Sequence, residues 1–253
     1  MEKTGKIPTA IQLYCVANEC QADVAGTFKK LAAMGYDGVE FAGWYAKSAE
    51  ELRKMLDDNG LKVAGSHTPL TALSDAELPK TVEFNQILGN RFLVVPGIPK
   101  EEHGLKSAWE KLAVRLNEIA EKLKPHDMFT GYHNHYIEFS PVEGQLPWDI
   151  VFANTKQEVI MQIDIGNALR GGCRIEQFLE KYPRRSRTIH LKEYAADNPR
   201  AMLGEGDVKW PDVFRMTDAF GATEWYIIEQ EIKGLPQMQT AERCLKNLRA
   251  LGR

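Results

Sequence analysis

The chain has 253 residues, 43% hydrophobic and 26% charged, with a net charge of −3. That balance excludes intrinsic disorder, and no run approaches the ~18 apolar residues of a membrane-spanning helix. It also argues against a nucleic-acid binder, which normally carries a basic excess.

The N-terminal stretch lacks the apolar core of a secretory signal, and Cys15, Cys20, Cys173 and Cys244 form no C-x-x-C pair. Reduced thiols in a cytoplasmic protein are the expectation. Along the chain, short apolar runs alternate with longer amphipathic ones. Residues 10–16 (AIQLYCV) predict a strand, and 23–34 a helix that stops before Gly35. Residues 38–42 predict the second strand. The helix over 48–59 carries Ser48 and Glu51 at capping-box spacing, with Gly60 as its stop. The third strand is 61–66, followed by a helix over 74–88 with Ser74 as its N-cap. Strand four (91–95) precedes a long helix over 106–123, closed by Pro125.

The second half continues the alternation. Strands are expected over 128–133, 159–164, 187–192 and 225–229, with helices over 147–154, 175–181, 211–220 and 240–251. Strands alternating with helices imply parallel pairing. Eight such units in about 250 residues predict a (β/α)8 TIM barrel, one α/β domain over 1–253. An open doubly wound sheet would carry a Gly-rich phosphate turn after its first strand, where this chain has ANECQA.

In such a barrel, catalytic side chains stand at the C-terminal ends of the strands. Glu40 falls near the end of strand two and His67 at the end of strand three. Strand five ends in GYHNHYIEF, with His133, Asn134, His135 and Glu138. Asp164 ends strand six, His190 and Lys192 strand seven, and Glu229 strand eight. Of the six histidines, four lie at these ends. His190 and Lys192 share a strand face, because side chains alternate with period two. A lone strand-end histidine is more often a packing residue, Asp164 alone could cap a turn, and a lone lysine is usually solvated. Ligand-type residues from several strands at one end are a stronger signal. Converging Asp, Glu and His without thiolates suit one divalent cation of intermediate hardness. Carboxylates lean toward Mn²⁺ or Mg²⁺, imidazole toward Zn²⁺ or Co²⁺, and Fe²⁺ also fits.

These blocks in this order (IQLYCV, GYDGVEFAGWY, GSH, GYHNHYIEF, IDIGN, IHLKE, LGEGDVKW, WYIIEQE) resemble the xylose isomerase-like TIM barrels of the sugar phosphate isomerase/epimerase group. The resemblance runs over essentially the whole chain. It implies a metal-dependent enzyme of keto-sugars, Mn²⁺ the foremost cation. Asp164, His190 and Glu229 match three of the family's four metal ligands. The fifth-strand position departs from the family's Glu-Asn-His, so either Glu138 or His133 is the fourth ligand, with Glu138 favoured by the family's carboxylate. Glu229, His135 or Glu138 would take the proton next to the carbonyl, with Lys192 also catalytic. Glu40, Trp44, His67 and His133 would bind the sugar.

Reprotonation yields an epimer or an isomer, while loss of a β-substituent makes a lyase of the inosose dehydratase or 3-keto-glycoside eliminase type. A non-catalytic sugar-binding barrel is the third reading. The abasic-site endonucleases of the same superfamily need further histidines, which VVPG on strand four and IGN after Asp164 do not supply. The expected partner is a small sugar or polyol, with no nucleic acid or membrane, and a homo-oligomer is compatible. The glycines of LGEGDVKW suit either a close approach to a ligand or a tight turn.

Overall fold

Short runs of β-branched and aliphatic residues, buried on both faces, pair in parallel when helices cover the outside. The computed structural model, which describes residues 6–253, closes eight such strands into a barrel in chain order. They are β1 (Thr9–Gln12), β2 (Gly38–Phe41), β3 (Lys62–His67), β4 (Phe92–Val95), β5 (Phe129–His133), β6 (Ile160–Asp164), β7 (Thr188–Leu191) and β8 (Trp225–Ile228). Around them lie α1 (Ala17–Met34), α2 (Ala49–Asp57), α3 (Leu78–Leu88), α4 (Lys106–Leu123), α5 (Pro147–Ala153), α6 (Ile165–Arg170), α7 (Glu176–Lys181), α8 (Trp210–Met216) and α9 (Gln237–Ala250). The TIM barrel expected from the alternation is the fold. Among the described residues, no helix is long and apolar enough to cross a membrane.

Four local expectations change. The strand over 10–16 ends at Gln12, whose side chain accepts the Tyr14 N–H (3.2 Å) as the chain turns into a 3₁₀ segment, Leu13–Val16. Helix α1 starts at Ala17, not residue 23. Asp23 is instead an internal break (φ −159°, ψ 91°), and its carboxylate accepts the Gly26 N–H to restart the helix. Ser74 caps nothing by its side chain: α3 begins at Leu78, with Pro79 in its first turn, where a missing N–H costs no bond. The helix over 211–220 leaves α geometry after Met216 and finishes as a π turn, Thr217–Gly221. The capping box at Ser48 and Glu51 forms as expected.

The barrel interior is filled in layers. Ala10, Ala64, Phe92, Val94, Ile160, Trp225 and Ile227 make an apolar plug inside the strands. Above it, toward the C-terminal ends, inward positions turn polar. The β2–β3 register shifts between Val39 and Glu40, so that Val39 pairs Val63 while Glu40 pairs Gly65. This irregularity changes the strand's facing, and His67 then pairs Val94 on the inward side. Gly65 is required here, since a Cβ would stand 2.8 Å from Glu40 Oε1.

Candidate functional site

Four strands deliver one ligand-type side chain each to the mouth. The ligand atoms of His133, Asp164, His190 and Glu229 lie within 4.8 Å of one another, and all four residues are buried. Asp164 divides its oxygens. Oδ1 accepts the Asn167 N–H at 2.7 Å and caps α6, a short helix absent from the sequence expectations. Oδ2 is buried with no hydrogen-bond partner among the described residues. The capping reading and the ligand reading of this residue are therefore compatible. The buried ring of His133 makes no hydrogen bond among the described residues, and its Nδ1 is unpartnered there. An unsatisfied buried polar atom costs about 1–3 kcal/mol. Two imidazoles and two carboxylates, with Asp164 Oδ2 uncommitted and His133 Nε2 facing Glu229 Oε2 at 4.0 Å, fit a divalent cation.

Beneath them lies a polar layer. Glu40 was expected to bind sugar hydroxyls, but its side chain is fully buried below the mouth. It accepts from Gln12 Nε2 (2.7 Å), Gln162 Nε2 (2.7 Å) and His190 Nε2 (2.6 Å). Burial disfavours its charge, but His190 and His67 outweigh that and hold its pKa below the usual range. Glu40 thus fixes the orientation of the His190 ring, as a carboxylate hydrogen-bonded to an imidazole does. The other nitrogen, Nδ1, lies 2.7 Å from Glu229 Oε2. Burial works against charge on His190, yet Glu40 and Glu229 raise its pKa to about 10. Glu229 also accepts from Lys192 Nζ at 2.9 Å. Lys192 and His190 overcome its burial and keep its pKa well below the ordinary range. Lys192 is likewise held charged: burial opposes it, but Glu229 and Asp164 raise its pKa.

Glu138 is not brought into this group. Its buried carboxylate accepts the Tyr132 hydroxyl (2.7 Å) and the His135 N–H (2.8 Å), and so braces the turn after β5. The strand ends at His133, and a single 3₁₀ turn (Ile137–Phe139) carries Glu138 back under the chain rather than toward Asp164. The fifth-strand residue in the cluster is His133. Asn134, named at the strand end but given no role from the sequence, clamps the ends of β5 and β6. Its Oδ1 accepts the Asp164 N–H (2.8 Å), and its Nδ2 donates to Asp164 O (3.1 Å).

Burial raises the Glu138 pKa to about 7. A raised carboxyl pKa favours the fold below the unfolded value, and that contribution is lost as pH rises through about 7. Glu138→Gln removes the dependence. Its stability relative to the native chain is expected to rise by on the order of 2 kcal/mol between pH 5 and pH 8 in urea titrations. Parallel curves for the two proteins would refute this. Any Mn²⁺ affinity is expected to stay within about threefold, because Glu138 lies outside the cluster of His133, Asp164, His190 and Glu229.

The mouth opens into a cavity of about 1070 Å³ that reaches His67, His133, His135, Lys192 and Glu229. His67 Nε2 donates to Gln162 Oε1 (2.9 Å), and its ring stacks on His190. The His135 ring makes no hydrogen bond to the described residues, and burial lowers its pKa, so it is a neutral base facing the cavity. Trp44 stands at the rim, packed on Phe41 and Phe84.

LGEGDVKW takes the tight-turn alternative and does not line the cavity. Its backbone wraps the buried Glu193 carboxylate, which accepts from the N–H groups of Gly204 and Val208 and from Trp210 Nε1. A Cβ on Gly206 would meet Tyr194 O at 2.5 Å and Glu193 Oε1 at 2.6 Å. Gly206→Ala is therefore expected to destabilise by about 1–3 kcal/mol. A thermal melt unchanged from the native chain would contradict that.

Fold and site together define a β/α barrel with a His₂–Asp–Glu group at the C-terminal mouth. The chain belongs to the xylose isomerase-like TIM barrel family, which matches residues 28–251. It is 21% identical to an inosose dehydratase of Clostridium botulinum over 240 residues, covering 80% of each chain. It is 20% identical to the rhizopine catabolism protein MocC of Rhizobium meliloti, covering 78% of this chain and 71% of that one. The crystal structure of a sugar phosphate isomerase/epimerase from Parabacteroides distasonis superposes with a TM-score of 0.80 at 25% identity, covering 98% and 96% of the two chains. These neighbours mark the chain as an enzyme of this barrel class.

Proposed function

We propose that this protein is a divalent-metal-dependent enzyme that removes the proton beside the carbonyl of a keto-sugar or keto-polyol, and so isomerises or epimerises it. The observation that carries this reading is the buried group of His133, Asp164, His190 and Glu229, with Asp164 Oδ2 unpartnered, directly beside the unbonded imidazole of His135. The four residues would hold the cation, Mn²⁺ foremost given the two carboxylates. When bound, it would supply Lewis-acid polarisation of the substrate carbonyl.

The remaining work falls to the chain's own groups. His135 takes the proton, since it is neutral, faces the cavity and has no competing partner. Glu229 is a poor base, because Lys192 and His190 hold it ionised. Lys192 keeps its charge next to the reacting oxygens, where it favours the developing negative charge. His67 is placed to bind a sugar hydroxyl. Return of the proton to the opposite face gives an epimer, and to the neighbouring carbon an isomer.

The inosose dehydratase relatives favour a second outcome from the same first step. The C–H electron pair then becomes a C=C bond, the β C–O bond breaks, and the oxygen leaves with a proton. The test is deuterium uptake from solvent into 2-keto- and 3-keto-sugars, with and without Mn²⁺. Exchange that requires the cation is expected, and product identity separates isomerase from lyase. A protein with no exchange under any cation is a binding barrel, and the proposal fails.

A further inference from the structure

Alternate residues of β6 share one face, and its inward residues serve different levels of the barrel. Ile160 belongs to the apolar plug and Asp164 to the cluster at the mouth. Gln162 lies between them, fully buried. Its amide reaches three other strands. Nε2 donates to Glu40 Oε1 on β2 (2.7 Å) and to Thr188 Oγ1 on β7 (2.9 Å), and Oε1 faces His67 Nε2 on β3 (2.9 Å).

The direction of each bond in this layer is forced. A backbone N–H only donates, so the Gln12 oxygen is the end that takes the Tyr14 N–H. Gln12 Nε2 is therefore the end that meets Glu40 Oε2 (2.7 Å). His190 Nε2 meets the same oxygen at 2.6 Å. A carboxylate only accepts. Gln162 thus turns its NH₂ to Glu40, since the reversed amide would set oxygen against oxygen at 2.7 Å. Its own oxygen is left for His67.

His67 Nε2 then faces two acceptors, Gln162 Oε1 and, at 3.5 Å, Glu40 Oε2, and it carries the hydrogen. In a neutral imidazole the second nitrogen is then an acceptor alone. Nδ1 makes no hydrogen bond to the described residues, and the ring lines the cavity.

We propose that Gln162 is a positioning residue for this site: it fixes His67 as the Nε2–H tautomer, so that the ring meets a substrate hydroxyl only as an acceptor. This rests on the proton-abstraction reading and adds a specificity device to it. A hydroxyl that donates to Nδ1 is required at one ring position, and the requirement is set from β6, by a side chain that does not line the cavity.

Two measurements test this. Long-range ¹H–¹⁵N spectra of the histidine-labelled full chain, loaded with diamagnetic Mg²⁺, show which nitrogen of His67 carries hydrogen; His67→Gln identifies its signals. The native ring is expected wholly in the Nε2–H form. Gln162→Leu, which keeps the volume but offers no acceptor, is expected to give both tautomers. The second measurement follows deuterium uptake with Mn²⁺ into an inosose and its mono-deoxy analogues. At one position the native chain is expected to lose at least about 100-fold in kcat/KM on deoxygenation. In Gln162→Leu that loss should shrink to about tenfold or less, whereas a merely structural glutamine would lower every probe alike.

A native ring protonated at Nδ1 or at both nitrogens overturns the inference, as does a Gln162→Leu ring still wholly in the Nε2–H form. Equal activity on every mono-deoxy probe also overturns it and leaves the reaction standing. Absence of exchange in every compound removes the reaction, and the tautomers of native and variant chains then decide the role of Gln162. The native spectrum and the native deoxy series need no variant to fold.

Discussion

An Asp164→Asn enzyme is expected to bind Mn²⁺ at least about 100-fold more weakly than the native chain, and to lose metal-dependent proton exchange with it. Loss of an outer-shell partner alone typically costs about 10–100-fold in affinity, and Asp164 is placed to be a ligand itself. The substitution is chosen for its geometry. The asparagine oxygen still accepts the Asn167 N–H, so the cap of α6 survives. What disappears is the anionic Oδ2, the atom with no hydrogen-bond partner among the described residues. Burial already raises the Asp164 pKa to about 7, so neutralising the side chain relieves a cost rather than adding one. The melting temperature of the metal-free variant is therefore expected to stay within about 3 °C of native, a shift of about 1 kcal/mol or less. Calorimetric titration with Mn²⁺ and a thermal melt decide it. Unchanged Mn²⁺ affinity would remove Asp164 from the proposed ligand set, and a collapse in melting temperature would show that the fold itself needs the carboxylate.

The second large effect belongs to His135. His135→Ala is expected to lower kcat for proton exchange by about 10²–10⁴-fold, the range that general-base catalysis contributes. Mn²⁺ affinity should change by no more than about threefold, because His135 is outside the ligand group. The backbone N–H that Glu138 accepts is retained, so the turn after β5 keeps its brace. A variant that loses metal affinity and turnover together would place His135 in the metal centre. One that keeps full turnover would return the base role to Glu229.

The alternation of short apolar runs with amphipathic ones determined the barrel, because buried parallel strands and covering helices have different hydrophobic periods. Strand parity likewise sufficed for His190 and Lys192, which lie two residues apart on one face. The convergence of Asp164, His190 and Glu229 at the mouth was legible for the same reason. Helix starts near Asp23 and Ser74 were not, since each is a polar residue beside a helix whose cap depends on the actual backbone path.

The choice between Glu138 and His133 lay beyond the sequence too. It depends on whether the chain after His133 continues or folds back, and the Tyr132 hydroxyl and His135 N–H settle that from outside the local pattern. The role of Glu40 was hidden in the β2–β3 register shift, which places its carboxylate under His190 instead of in the cavity. Periodicity reports which residues face inward. How far up the barrel each inward side chain stands, and which atom meets it there, is fixed only by strand register and by contacts between residues as distant in sequence as Glu40 and His190.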